Sequence, residues 1–179
     1  MKLLLHSCCA ACTLACLGGI PGGGQTELFW YNPNIHPLTE YEKRLSALAE
    51  AAGAENMGLE KADRYGLKDF LRAVFADMEN TPAGSRCKIC YKMRMEKTAA
   101  FAAENGFDAF STSLLASEHQ NHEAIRQAAE EAAEQYRVKF FYRDFRASSR
   151  QGKNKARAAG LYMQKYCGCI FSEEERYST

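Results

Sequence analysis

Three cysteines fall within five positions near the amino terminus, in Leu3-Leu4-Leu5-His6-Ser7-Cys8-Cys9-Ala10-Ala11-Cys12. A structural cysteine behaves as a small hydrophobe and normally stands alone, whereas thiols crowded at the carboxyl end of an apolar strand sit where open α/β sheets place their ligands. The group reads as the anchor of a metal or redox centre. Two further groups, Cys87-x-x-Cys90 and Cys167-x-Cys169, bring the candidates to seven of the eight cysteines in the chain. One four-coordinate site needs four thiolates, so the surplus implies either two centres or one centre and a redox pair. A zinc ion held by four cysteines would suit a small ribbon, but adjacent cysteines and a Cys-x-Cys step are unusual spacings for a zinc knuckle. Iron–sulfur chemistry fits better. Cys16 lies outside every group and reads as a buried small hydrophobe.

Other polar residues carry weaker signals. His6 reads as a satisfied histidine on a core strand, and Tyr31, His36, Asp108 and Asp144 are conceivable proton donors that nothing in the sequence separates from structural polar groups. Basic residues cluster twice near cysteines. Arg86, Lys88, Lys92, Arg94 and Lys97 flank Cys87 and Cys90, and Arg137 to Arg157 holds eight cations, Arg143, Arg146, Arg150 and Lys153 among them, against Asp144 alone. Phe140, Phe141, Tyr142 and Phe145 interleave with the second cluster, as in RNA surfaces that hold phosphates on charges and bases on rings.

These groups need a scaffold. The 179 residues suit one domain, 1–179, large enough to fold without metal or disulfides. The net charge of +1 excludes a strong overall field, and the cysteine spacing suits reduced thiols in a cytoplasm better than a secreted disulfide framework. His6 breaks the first apolar run too early for a signal peptide, and no stretch suggests a membrane span. A strand over 2–7 leads into a helix over 10–17 that carries Cys9, Cys12 and Cys16 on roughly one face and ends at Gly18. The glycine-rich 18–24 reads as a flexible connector.

A strand over 27–32 and a two-proline turn then lead to a helix capped by Thr39 with Glu42 and stopped by Gly53. There follow a weak strand over 57–61, a helix over 67–78, a polar loop over 79–85, and a long helix from Arg86 to Asn105 stopped by Gly106. Its three-residue step puts Cys87 and Cys90 on one face. A strand over 107–112, a helix over 121–136, a strand over 138–142 and a cysteine-bearing tail complete the chain. Strands alternating with helices imply an α/β fold with a three-layer, mostly parallel sheet.

Jointly, the stretches LLHSCCAAC, FWYNPNIHPLTEYEKR, RCKICYKMRMEKTA, FDAFSTSLLAS and LYMQKYCGCIFS, running from residue 3 to residue 172, resemble the QueH-type epoxyqueuosine reductases. That resemblance implies a HUP-like, Rossmann-like fold and the last step of queuosine biosynthesis: reduction, without cobalamin, of the epoxide on the wobble nucleoside of tRNA. It further implies a 4Fe–4S cluster on Cys8, Cys9, Cys87 and Cys90, with Cys12 the substitute ligand. Cys167 and Cys169 then become a redox-active, disulfide-forming pair or ligands, alone or with Cys12, of a second metal ion, iron, near the cluster. The implied partners are tRNA carrying epoxyqueuosine and an external electron donor.

Two departures stand out. Ala11 occupies a position where many members have proline, which loosens a turn, and Ser117-Glu118-His119-Gln120 replaces the frequent Ser-Pro-Tyr-Gln on a substrate-side loop. The competing readings are a non-catalytic, zinc-stabilised RNA-binding protein and a thiol–disulfide oxidoreductase. The latter is weakened because Cys87-x-x-Cys90 follows no thioredoxin-like strand pattern.

Overall fold

The computed structural model describes residues 1–20, 25–62, 64–78 and 85–178. β1 (Lys2–His6) is the middle strand of a five-stranded sheet, with β2 (Gln25–Trp30) and β3 (Leu59–Lys61) on one side and β4 (Ala109–Thr112) and β5 (Lys139–Phe140) on the other. Every pairing is parallel, and His6 lies opposite Phe29 of β2 and Thr112 of β4. A central parallel strand has no wet face, which explains a continuous apolar run in place of alternation. Leu3, Leu4 and Leu5 are each at most 1 % exposed.

The crossovers are filled by α1 (Ala10–Leu17), α2 (Leu38–Ala54), α3 (Leu67–Met78), α4 (Ser85–Glu104) and α5 (His122–Tyr136). Right-handed crossovers in this strand order place α1 and α2 on one face of the sheet and α4 and α5 on the other. Accordingly α1 touches α2, and α4 packs along α5. The three-layer α/β architecture expected from the sequence is present, and its sheet is wholly parallel. The chain leaves β1 towards β2 and β4 towards β5, in opposite directions. The crevice beyond the carboxyl ends of β1 and β4 is therefore the switch point where such sheets bind ligands.

Several boundaries differ from expectation for identifiable reasons. The strand expected to reach Asn32 ends at Trp30, because Asn32 turns its amide inward to donate to the Ser7 carbonyl at 2.9 Å. No capping box forms at Thr39: α2 begins one residue earlier, Pro37 is its N-cap without a side-chain bond, and the helix runs through Gly53 to Ala54. Of the strand expected over 138–142, Lys139 and Phe140 alone pair. Gly106 does follow α4 in the left-handed region, at φ +66°. Residues 21–24 of the glycine-rich connector and 79–84 of the polar loop lie outside the described residues.

Two helices were not expected, α6 (Ser149–Ala158) and α7 (Ile170–Tyr177). α6 buries Ser149, Gly152 and Ala156, small residues three and four apart that let its backbone lie against α1. A Cβ at Gly152 would stand 2.4 Å from the Ala11 carbonyl oxygen and 2.6 Å from the Ala15 nitrogen, so no other residue fits without displacing a helix. No helix among the described residues is long and apolar enough to cross a membrane.

Candidate metal centre

The central strand delivers its chain straight into the switch point. Ser7 N still donates to the Phe29 carbonyl at 2.8 Å, so Cys8 leaves the sheet from a fixed position. Cys9 is the N-cap of α1, its sulfur accepting from Cys12 N at 3.4 Å. One helical turn brings Cys12 back beside it, and the sulfurs of Cys8, Cys9 and Cys12 all lie within 4.8 Å of one another. Ser113, the residue after β4, closes the other side: Cys8 N donates to Ser113 Oγ at 3.1 Å, and Ser113 Oγ donates to Cys8 Sγ at 3.4 Å. From the carboxyl-terminal part, Gln164 Nε2 donates to Cys9 Sγ at 2.8 Å.

Charge is shared unequally in this triad. The Cys12 and Cys9 thiols hydrogen-bond Cys8 and hold it well below the ordinary thiol range, against burial and with help from Arg94. Cys12 is raised by the same bonds to Cys8 and Cys9, and then by burial. Cys9 is pulled down by Cys12 but pushed up by its bond to Cys8 and by burial, to about 12. Of the three, Cys8 is therefore the thiol most readily ionised, and it stands beside the positive end of α1. Three soft donors converging on one point fit a thiophilic metal or iron–sulfur group and do not suit a hard, oxygen-seeking cation.

The opposite wall is α4. Cys90 is buried and Cys87, one turn earlier, is exposed; neither belongs to the close triad. Arg94, a further turn on, is 2 % exposed and reaches across. Its Nη1 donates to Cys90 Sγ at 3.6 Å, its Nη2 to Asn32 Oδ1 at 2.8 Å and its Nε to His6 Nε2 at 3.3 Å. With Nε2 accepting from Arg94, the His6 ring proton sits on Nδ1 and is donated to Thr112 Oγ1 at 2.9 Å. Burial, then the Arg94 charge, presses its pKa down to about 3, so His6 is a neutral structural imidazole.

The tail completes this side. Cys169 packs with Phe171 against Phe70, Val74 and Cys90, and it N-caps α7. Burial raises the Cys87 thiol, and the nearness of Cys167 and Cys169 raises it further. All eight cysteines are free, so of the two alternatives for Cys167 and Cys169 the disulfide is not formed here. Arg44 holds the tail from α2, donating to the carbonyls of Cys167 at 3.1 Å and Tyr166 at 2.9 Å. Gly168 has φ +103°, and a Cβ added there would stand 2.9 Å from Ile35 Cγ1, so the step between the two cysteines favours glycine on both counts. A cleft of about 390 Å³ opens alongside, with Glu40, Lys43, Tyr162, Lys165, Tyr166 and Tyr177 in its walls.

The family model described as epoxyqueuosine reductase QueH matches residues 3–175. The chain belongs to the QueH family. The epoxyqueuosine reductase QueH of Dehalococcoides mccartyi is 37 % identical over 177 residues, covering 98 % of this chain and 94 % of its own. That of Thermotoga maritima is 37 % identical over 183 residues, covering 97 % and 91 %. In fold, the chain is similar to a predicted subunit of tRNA methyltransferase from Methanocaldococcus jannaschii, with TM-score 0.52 and 10 % identity over 90 % of this chain and 89 % of that one.

Within this QueH-family chain, the structure sorts the remaining expected residues. Asp108 accepts from Lys2 N at 2.7 Å, at the amino edge of the sheet and so at the wrong end for the switch point. Asp144 is bound by Arg146, whose hydrogen bonds hold its pKa down to about 2, and it is no proton donor at neutral pH. His36 is buried against Tyr65 and Phe70, and burial lowers it to about 4. Cys16 is fully buried in the core. Arg143, Arg146, Arg150 and Lys153 are all exposed, but of the interleaved aromatics Phe145 is buried, Phe140 and Phe141 pack on the core, and Tyr142 alone is open, at 42 %. Ser113, Asn32, Thr112 and Gln164 were not anticipated. Arg94 belongs to no basic surface, and its spacing from Cys87 and Cys90 already put it on their helical face.

Proposed function

We propose that this chain reduces epoxyqueuosine at the wobble position of tRNA to queuosine, the last step of queuosine biosynthesis. The observation that carries the reading is the convergence of three thiols, within 4.8 Å, at the switch point of a chain matched by the QueH family model from residue 3 to residue 175. The reaction breaks both C–O bonds of the epoxide, takes up two electrons and two protons, releases water and leaves a carbon–carbon double bond. A 4Fe–4S cluster would supply the electrons singly, and a second iron would supply Lewis acidity at the oxygen.

Cys8 and Cys9 from the strand end, with Cys87 and Cys90 from α4, would hold the cluster; Cys12 is the candidate replacement for Cys87. Cys167 and Cys169 would serve as the redox pair or hold the second iron. Ser113 and Gln164 orient the Cys8 and Cys9 sulfurs through the bonds already described, and the packed tail limits water on the Cys90 side. Arg143, Arg146, Arg150 and Lys153 would take tRNA phosphates along α6 and the turn before it, leading towards the cleft of tyrosines and lysines beside the tail. Eight free thiols and the need for an external electron donor suit the cytoplasm. The test is anaerobic purification with iron and sulfide analysis, followed by turnover of tRNA carrying epoxyqueuosine. Zinc in place of iron, with no turnover under reducing conditions, overturns the reading.

A further inference from the structure

Arg94 is a full positive charge sealed inside the protein, and no carboxylate among the described residues forms an ion pair with it. Its oxygen and nitrogen acceptors, Asn32 and His6, are neutral, and its remaining bond goes to Cys90 sulfur. A buried cation is strongly disfavoured unless an anion answers it. The sulfur among its partners, Cys90 Sγ at 3.6 Å from Nη1, stands on the wall opposite the Cys8, Cys9 and Cys12 triad, so the guanidinium lies beside the thiols that would hold an anionic group.

We infer that Arg94 is the resident counter-charge of the thiolate centre: a positioning residue whose charge favours a net-negative group bound between Cys8 and Cys90 and eases that group's uptake of an electron. This rests on the iron–sulfur reading above. A cluster on four thiolates is anionic and gains a further negative charge on reduction, so a fixed cation nearby stabilises the reduced state more than the oxidised one. The remaining bonds, to Asn32 and His6, fix the guanidinium plane, and Thr98 Oγ1 donates to the Arg94 carbonyl at 2.7 Å one turn on.

The test compares Arg94→Lys, which keeps the charge, with the neutral Arg94→Gln and Arg94→Met, each in the full chain loaded anaerobically. The midpoint potential is read by redox titration with electron paramagnetic resonance, and the half-life of iron loss to a chelator is measured alongside. Both neutral variants should show a more negative potential and faster iron loss, while Arg94→Lys stays near the native values. Equal shifts in all three, or in none, would mean that Arg94 acts through packing and hydrogen bonds alone. If the neutral variants fail to fold without metal while Arg94→Lys folds, the protein itself answers the charge, and the inference falls. Absence of iron and sulfide from the native chain sinks the cluster reading instead, an outcome distinct from unchanged potentials in loaded variants.

Discussion

The two walls of the thiol centre are built by different means. Cys8, Cys9 and Cys12 stand where the central strand of the sheet becomes a helix, and their positions follow from backbone bonds, the Ser113 hydroxyl and one helical turn. Cys87, Cys167 and Cys169 stand on a helix start and a tail, held by side chains from elsewhere: Arg44 on the tail carbonyls, Phe75 edge-on to Phe171 at 6.4 Å, and Arg86 paired with Glu175. One wall is part of the scaffold; the other is assembled onto it. Damage at Cys8 or Cys9 should cost the bound group, and damage to the tail cysteines should cost chemistry while the group remains.

The sharpest break of that comparison is Cys8→Ser or Cys9→Ser, each expected to bring iron and sulfide to background and to abolish reduction, measured on anaerobically prepared protein. Cys87→Ser and Cys90→Ser should do the same if α4 supplies ligands, while Cys12→Ser keeps the iron. The reverse result for Cys12 and Cys87 would move the ligand set wholly towards the strand corner. Next in size, Cys167→Ser with Cys169→Ser should abolish turnover yet leave the melting temperature and the cluster irons nearly intact. Loss of about one further metal per chain would then mark a second metal site in place of a redox pair.

Smaller effects probe the surfaces beyond the thiols. Reversing Arg143, Arg146 and Arg150 to glutamate should weaken tRNA binding and flatten its dependence on salt, by about 0.7–0.9 in slope for each phosphate no longer neutralised, with iron content unchanged. Gly152→Ala should cost about 1–3 kcal/mol of stability in urea denaturation, because the added methyl meets α1 backbone. Least of all, Tyr162→Phe removes a hydrogen bond to Glu40 and should cost about 0.5–1.5 kcal/mol.

Much of the scaffolded wall is legible in the sequence because its determinants are local. Three leucines buried on both faces run into cysteines spaced by one helical turn, and little more is needed to form the triad. The assembled wall depends on bonds over long sequence separations. Arg44 reaches Cys167 across 123 positions and Tyr166 across 122, and no local pattern announces either. The helix α6 is hidden for a different reason: its buried stripe is Ser149, Gly152 and Ala156, so apolar periodicity has no large side chains to register. The expected cap at Thr39 shows the opposite error, a correct pattern of residue types one position inside the helix. Arg94 resembles a surface cation because a charge ordinarily seeks solvent, yet it bonds the Cys90 sulfur on its own helical face and Asn32 and His6 across the crevice.

The seam between α6 and α1 has a mechanical meaning. With glycine letting two backbones touch, there is no compressible layer of side chains between the helix that carries Arg150 and Lys153 and the turn that carries Cys9 and Cys12. That contact sets the spacing between the α6 backbone and the turn that carries the thiols, and so the length from the helix to the sulfurs. An RNA gripped along the outer side of α6 would be measured against that length, so that one nucleotide comes within reach of the sulfurs and its neighbours along the strand fall short or overshoot.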